Sequence, residues 1–346
     1  MKENYFANTL INWYETNKRD LPWRNTTDPY KIWISEIILQ QTRVNQGLPY
    51  YRKFISTFPK VEDLANANEE KVLKLWQGLG YYSRARNMHQ SAKYILNDLN
   101  GVFPSNYNEI KKLKGVGDYT AAAISSFCFK EKKAVLDGNV YRLLSRFFGI
   151  ETPIDSNKAK KEFTELLSHL ISSEKPDVFN QSIMEFGALQ CTPKKPNCSI
   201  CTWKNKCVAF ATNKTHILPI KSKKIKKRIR YFNYIVYKQQ QNYFIQKRTS
   251  KDIWENMYEF PLLETNQELD ELPSSFIGVD GFINSVKKHI HLLSHQKIFV
   301  TFWEVHIVKF KNTNQYIVTN MDDINDFPFP KIVENYIENE LQNSLQ

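Results

Sequence analysis

At 346 residues the chain is long enough for two or three domains at ~150 residues each, with a sizeable core. Hydrophobic residues make up 42% and charged residues 24%, a globular balance that excludes extended disorder. The formal net charge of +12 asks for an anionic partner, nucleic acid before others. Aromatic residues reach 14%, a surplus that suits stacking on bases, or else an aromatic-rich core. No apolar run approaches the ~18 residues that span a bilayer. Residues 1–10 carry no apolar signal segment, so the expectation is a cytoplasmic protein in a reducing compartment, with no membrane association.

Residues 5–210 read as mostly helical. Amphipathic stretches such as 69–76 and 158–171 are separated by breaks at Phe58-Pro59, Asn100-Gly101, Phe103-Pro104 and Thr152-Pro153. Asp28-Pro29 reads as an N-cap followed by proline at the first position of a helix over 30–42. On that helix Glu36 has Ile32, Trp33 and Leu39 at i−4, i−3 and i+3, which places its carboxyl on an apolar face. A carboxyl there has a raised pKa and suits a general acid; the alternative is a glutamate paired with a buried arginine. Next, Leu113-Lys-Gly-Val-Gly-Asp-Tyr-Thr-Ala121 sets Gly115, Val116 and Gly117 between two helical stretches. Exposed amides at such a turn and the following helix start form a phosphate site, although Gly-x-Gly alone also fits a plain helix–helix turn. Cys128 lies in the apolar run 121–129 and reads as core. Asp137, just before a helix over 140–148, reads as an N-cap, as does Asn139. Amides at that helix start are expected to keep Asp137 ionised while Glu36 stays protonated, which together make an acid and an anionic stabiliser.

Four of the five cysteines fall together, as Cys191, Cys198, Cys201 and Cys207. In a reducing compartment they read as ligands of one metal centre, zinc or iron–sulfur. One close pair with two outliers tilts the reading toward iron–sulfur, since zinc ribbons usually have two close pairs. Lys194, Lys195, Lys204 and Lys206 between the ligands make the loop cationic. From 221 to 230 seven residues in ten are basic, a linker or an edge against phosphate. Beyond it the stretches 231–237, 243–247 and 298–308 are rich in β-branched and aromatic residues and read as strands of an α+β domain. No internal repeat is visible.

The run Asp28-Pro-Tyr-Lys-Ile-Trp-Ile-Ser-Glu-Ile-Ile-Leu-Gln-Gln-Thr42, the Gly-x-Gly segment, Leu136-Asp-Gly-Asn-Val140 and the cysteine loop occur in one order. In that order they resemble the MutY-type adenine DNA glycosylases of the helix-hairpin-helix superfamily, over nearly the whole chain. The resemblance implies a mainly α helix-hairpin-helix glycosylase domain at 1–212 with a [4Fe–4S] loop at 191–207. A basic linker at 213–230 and an α+β MutT/Nudix-like domain at 231–342 that reads 8-oxoguanine would follow. It implies that Glu36 protonates N7 of adenine and that Asp137 stabilises the oxocarbenium sugar, with Tyr119 and Asn139 in support. Trp23, Arg24, Leu39 and Gln181 match the pocket for the flipped base. Gln41, Thr42, Leu79 and Tyr81 match residues that wedge into the duplex and meet the opposite 8-oxoguanine. A flipped base and a filled gap are what any enzyme acting on a stacked base requires.

The aromatic run Trp76-Gln-Gly-Leu-Gly-Tyr-Tyr-Ser-Arg-Ala-Arg86 suits the wedge. Trp254-Glu-Asn-Met-Tyr-Glu-Phe-Pro261 fits the MutT-like pattern, without the glutamate run of a pyrophosphate hydrolase. His291-Leu-Leu-Ser-His295 matches the loop that reads 8-oxoguanine, with Ser294 as its contact beside His295. His289, His291 and His295 read as ordinary strand or surface histidines before a metal site. Bifunctional relatives of the endonuclease III type carry a Schiff-base lysine where this chain has Tyr119, so the expectation is a monofunctional enzyme that leaves an abasic site. Its partner would be double-stranded DNA with A:8-oxoguanine or A:G mispairs, bound by a monomer. A superfamily enzyme for oxidised pyrimidine or mismatched thymine, and a non-catalytic lesion binder, are the rivals; Tyr119 and the C-terminal domain oppose the first, Glu36 with Asp137 the second. Two positions depart from the family: Leu293, usually phenylalanine, and Asp118, often basic.

Overall fold

The computed structural model describes residues 2–172, 175–222, 226–277, 281–308 and 315–342. It has two compact units, one formed by 1–65 with 90–224, the other by 66–89 with 225–346. Among the described residues no helix is long and apolar enough to cross a membrane.

The helices are α1 (Lys2–Asn17), α2 (Pro29–Leu39), α3 (Val44–Thr57), α4 (Val61–Asn66), α5 (Glu69–Trp76), α6 (Ser83–Asp98), α7 (Tyr107–Ile110), α8 (Asp118–Phe129), α9 (Gly138–Phe148), α10 (Asn157–Leu170), α11 (Pro176–Leu189) and α12 (Val208–Ala211). In the first unit α8 packs on α2, and α11 packs on α1, α8 and α9. The core joins Phe6, Leu10 and Trp13 of α1 to Val140, Leu143 and Leu144 of α9, Phe163 of α10, and Phe179, Ile183 and Phe186 of α11. Buried aromatic area of this size dominates the stability of such a bundle.

The second unit is built on β1 (Arg228–Gln239), β2 (Asn242–Lys247), β3 (Tyr258–Glu259), β4 (Leu262–Thr265), β5 (Phe282–Leu292), β6 (Gln296–His306) and β7 (Ile317–Asn320), with α13 (Ser274–Ile277) and α14 (Lys331–Tyr336). The strand order is β3-β2-β1-β6-β5, with β1 and β6 parallel from Arg228↔Gln296 to Lys238↔His306. Residues 232–237 of β1 are buried without alternation, as a strand covered on both faces must be. On one face Tyr234 stacks on Phe302 and Phe302 on Tyr336; on the other Ile235, Phe244, Trp303 and Val305 cluster. Segment 66–89 joins this unit through Glu70, which accepts from Tyr258 Oη and from Lys247 Nζ, and through Lys74, which donates to the Phe327 carbonyl.

Candidate active site and nucleic-acid interface

The first unit contains a cavity of about 480 Å³. Glu36, Tyr119, Asp137, Asn139, Trp23, Arg24, Leu39, Gln181 and Thr42 all line it. These side chains come from five separate stretches of chain, so only the fold brings them together.

Asp28 caps α2 through Oδ1, which accepts from Tyr30 N at 2.9 Å and from Lys31 N at 3.5 Å, and Pro29 stands first in the helix. The helix ends at Leu39, three residues short of the expected Thr42. Gln40 leaves helical geometry and Gln41 takes φ 60°, while Gln40 Nε2 donates to Thr120 Oγ1 on α8. Gln41 is consequently exposed on a turn, and Thr42 faces the cavity. Glu36 is 5% exposed, and burial pushes its carboxyl up to about 7; the Tyr119 hydroxyl opposes that shift, the Asp137 charge adds to it, and Arg24 opposes it. The arginine pairing considered for Glu36 goes elsewhere. Arg19 and Arg24 both close on Glu185 of α11, at 2.6 and 2.7 Å.

Asp137 caps α9: Oδ1 accepts from Val140 N at 2.8 Å and Oδ2 from Asn139 Nδ2 at 2.8 Å. The donors expected to keep Asp137 ionised stand at its carboxylate, and burial opposes their effect on its pKa. Burial is the larger influence and raises it, with the Val140 amide and Asn139 working against that rise. Asn139 is held in turn, since its Oδ1 accepts from Arg142 Nη2 at 2.9 Å. Arg142 also donates from Nε to the Cys191 carbonyl at 2.7 Å and from Nη2 to the Gly187 carbonyl at 2.5 Å. Burial raises the Tyr119 phenol well above its usual range, so it stays a neutral donor; its hydroxyl also makes a long contact of 3.7 Å to Met184 Sδ.

Sequence reasoning missed Glu185 and Arg19. Glu185 is 1% exposed and lines the cavity; despite its burial, the two guanidiniums hold its carboxyl down to about 2. The only signal was a lone acid between Met184 and Phe186 on an apolar helix face. Gln181 beside it accepts from Tyr14 Oη at 2.6 Å.

At the hairpin between α7 and α8, Gly115 takes φ 80° and Gly117 caps α8. That positive φ is a conformation side chains resist, which explains a glycine there. Val116 is buried under the turn. Asp118 opens α8, but its carboxylate turns to cations. It accepts from Tyr107 Oη at 3.0 Å and pairs with Lys160 at 2.6 Å and Lys111 at 2.5 Å. These donors hold its pKa well below the usual carboxylate range.

Cys191, Cys198, Cys201 and Cys207 are free thiols lining one small cavity. Among the described residues, no three His, Cys, Asp or Glu side chains stand close enough together to read directly as a metal site. The donor set nonetheless fits a thiophilic centre, because four sulfurs share one cavity with little else that could ligate. Trp203 anchors the loop to the core, 1% exposed, with ring centroids 4.6 Å from both Phe6 and Phe186. Arg146 binds the same loop through the Thr192 and Pro193 carbonyls and Cys191 Sγ.

The second unit has its own cavity of about 500 Å³. Leu79, Tyr81, Arg86, Trp254, His291, Ser294 and His295 are among its walls. Leu79 is buried and Tyr81 is 45% exposed, at φ 48° in the turn between α5 and α6. Arg84 braces that turn by donating to the Leu79 and Gly80 carbonyls. Ser294 and His295 form the tip of the β5–β6 hairpin, which Leu293 N closes on the Gln296 carbonyl at 2.9 Å. His289 and His291 lie on β5 itself.

Residues 34–169 match the family described as HhH-GPD superfamily base excision DNA repair protein, and residues 233–339 match the NUDIX domain. An adenine DNA glycosylase of Buchnera aphidicola subsp. Schizaphis graminum is 34% identical over 96% of this chain and 98% of its own length. Another, of Buchnera aphidicola subsp. Baizongia pistaciae, is 38% identical over 92% of each chain. The human adenine DNA glycosylase is 39% identical over 59% of this chain and 39% of its own. Among solved structures, a thermostable thymine-DNA glycosylase aligns at TM-score 0.57 with 33% identity, over 61% of this chain and 97% of that one. Endonuclease III trapped on DNA aligns at TM-score 0.54 with 19% identity, over 61% and 97%, a likeness of fold.

Proposed function

The chain belongs to the adenine DNA glycosylases, DNA-binding N-glycosylases of base excision repair, and on that premise we propose that it removes adenine opposite 8-oxoguanine, and opposite guanine, without cutting the strand. What carries the reading is the pair Glu36 and Asp137 on one cavity large enough for a flipped base. A carboxyl near 7 is part-protonated at neutral pH, as a general acid should be. Glu36 gives its proton to N7 of adenine. The glycosidic bond then breaks with its electron pair leaving on the base, and Asp137 stabilises the cationic sugar. Water adds at C1′ and returns a proton to Glu36, which restores the acid. Asn139 steadies Asp137, and Tyr119 is a neutral donor to Glu36. Tyr119 offers no amine for a Schiff base, so the product is an intact strand with an abasic site. Trp23, Arg24, Leu39 and Gln181 hold the base.

The second cavity supports the opposite-base reading: Leu79 and Tyr81 share it with Ser294 and His295. Gln41 and Thr42 approach the duplex, and the amides around Gly115, Val116 and Gly117 take a phosphate. Cys191, Cys198, Cys201 and Cys207 would hold a [4Fe–4S] cluster, which when bound ties the loop 191–207 into one rigid body. We read the chain as a monomer, acting on nucleoid DNA in the cytoplasm, with catalytic residues in 1–212, the basic linker 213–230 and the reading domain in 231–342.

The test is base release from duplexes carrying A opposite 8-oxoguanine, G or T, with a T:G duplex beside them, sampled before and after alkali. Breaks only after alkali, fastest opposite 8-oxoguanine, are expected. Strand breaks without alkali would overturn the monofunctional assignment, and release confined to T:G would overturn the substrate.

A further inference from the structure

The loop between β2 and β3 holds two non-glycine residues in left-handed geometry, Trp254 at φ 63° and Asn256 at φ 65°. Such residues are held only where surrounding contacts over-determine them, and they gather where a structure must aim something. The contacts here are numerous. Arg248 donates from Nε to the Ile253 carbonyl at 2.8 Å and from Nη2 to Asp252 at 2.9 Å. Asp252 also takes Arg230 Nη2 at 2.6 Å. Asn256 N donates to the Arg248 carbonyl, and its side chain to Glu69 Oε1 at 2.6 Å.

What this effort aims is Glu255. Its Oε2 accepts from Arg86 Nη2 at 2.8 Å, and its carbonyl accepts from Arg86 Nη1 at 2.8 Å. Both partners are largely withdrawn from solvent, Arg86 at 14% and Glu255 at 26%, so the pair is worth more than a surface ion pair. Arg86 lies on α6 just past the turn that carries Leu79 and Tyr81. On the other side of Glu255, the rings of Trp254 and of His291, three residues before Ser294, meet edge to face with centroids 5.7 Å apart. One short loop thus grips both walls of the second cavity.

We propose that Glu255 is a positioning residue, and that its clasp on Arg86 fixes the 79–81 turn against the β5–β6 tip and so sets the preference for the base opposite adenine. The proposal rests on the reading that this cavity receives that base. Glu255 itself does not line the cavity, so it acts through Arg86 and Trp254. Losing the clasp leaves both walls present but loosely registered. Discrimination then suffers, while adenine release in the other cavity keeps its own machinery.

The experiment is single-turnover adenine release by the full chain on A:8-oxoguanine and A:G duplexes, for wild type, Glu255→Ala, Glu255→Gln, Arg86→Gln and the double variant Arg86→Gln with Glu255→Ala. Glu255→Ala should cut the 8-oxoguanine-to-guanine rate ratio by about fivefold, the size of one ordinary hydrogen bond, since Glu255 acts only through its neighbours, with the A:G rate within about twofold. The double variant should lose no more than Arg86→Gln alone. Glu255→Gln, nearly isosteric, should lower the ratio in the same direction and keeps the test alive if the alanine variant does not fold. A wild-type enzyme with no preference for 8-oxoguanine would remove the reading on which the proposal rests. A wild-type preference that persists in both Glu255 variants, or A:G and A:8-oxoguanine rates that fall in parallel, would overturn the proposal alone.

Discussion

Gly187 on α11 lies so close to Asn139 at the start of α9 that a Cβ on it would stand 2.8 Å from Asn139 Cβ and 2.9 Å from the Asn139 carbonyl oxygen. Gly187 also offers its carbonyl to Arg142, the residue that holds Asn139. Gly187→Ala must therefore push α9 away at the turn that carries Asp137. Overpacking of this kind costs about 1–3 kcal/mol. The expected outcome is a lower Tm and a larger loss of single-turnover rate than the fraction unfolded accounts for. A normal rate at a temperature where the variant is folded would show that the α9 start tolerates the shift.

Asn139→Ala removes the side-chain donor that opposes the rise of the Asp137 pKa. With burial unchanged, Asp137 titrates at higher pH. The low-pH limb of the rate profile should move upward in pH. A hydrogen bond to a charged group is worth about 1.5–3 kcal/mol, so the rate on that acid limb should fall about tenfold or more. Measuring the profile separates this from a simple loss of binding, which would lower the rate without moving the limb.

Glu36 carries a cost in stability that its replacement should reveal. Its folded pKa of about 7 stands above its ordinary 4.5. Below the ordinary value both folded and unfolded forms are protonated and nothing is lost. As pH rises toward 7 the unfolded chain ionises first, so stability falls through that window and stays lost above it. At roughly 1.4 kcal/mol per pKa unit the loss is on the order of 3 kcal/mol. Glu36→Gln should therefore raise Tm at pH 8, leave it nearly unchanged at pH 4, and abolish adenine release. A variant that releases adenine at the wild-type rate would remove Glu36 from the acid role.

Much of this was legible in the residues. The cap at Asp28-Pro29, the apolar face around Glu36 and the cap at Asp137 are local patterns, and local patterns survive folding. The strands at 231–237 and 298–308 were equally plain, because a strand buried on both faces must be β-branched and aromatic throughout. The long-range pairings were not. Glu185 with its two arginines is assembled from positions more than 160 apart in the chain, and nothing near any of them announces the others. The end of α2 was misplaced because Gln40 prefers a partner on α8 to another helical turn. The cap and the amides at Asp137 were local and legible, whereas its burial, a property of the whole unit that acts against those amides, was not.

Asp118 is the residue whose sequence reading and surroundings most need an experiment. An acid beside the phosphate site proposed at this hairpin should weaken DNA binding, since each neutralised phosphate contributes to affinity through released counterions. Here the carboxylate is occupied by Lys111 and Lys160, so it removes its own charge from the hairpin and ties up two cations as well. All three side chains are largely solvent-exposed, and the pairs hold them only loosely. Asp118→Asn releases both lysines toward phosphate. Binding to duplex DNA should tighten, and the slope of log K against log salt should steepen by about 0.9 for each lysine that reaches a phosphate. Titrations of wild type and variant across a range of salt concentrations measure both quantities. A steeper slope with tighter binding means that Asp118 restrains the hairpin's cations. Weaker binding at an unchanged slope means instead that it organises them, with Tyr107 fixed between α7 and α8 as the element it supports.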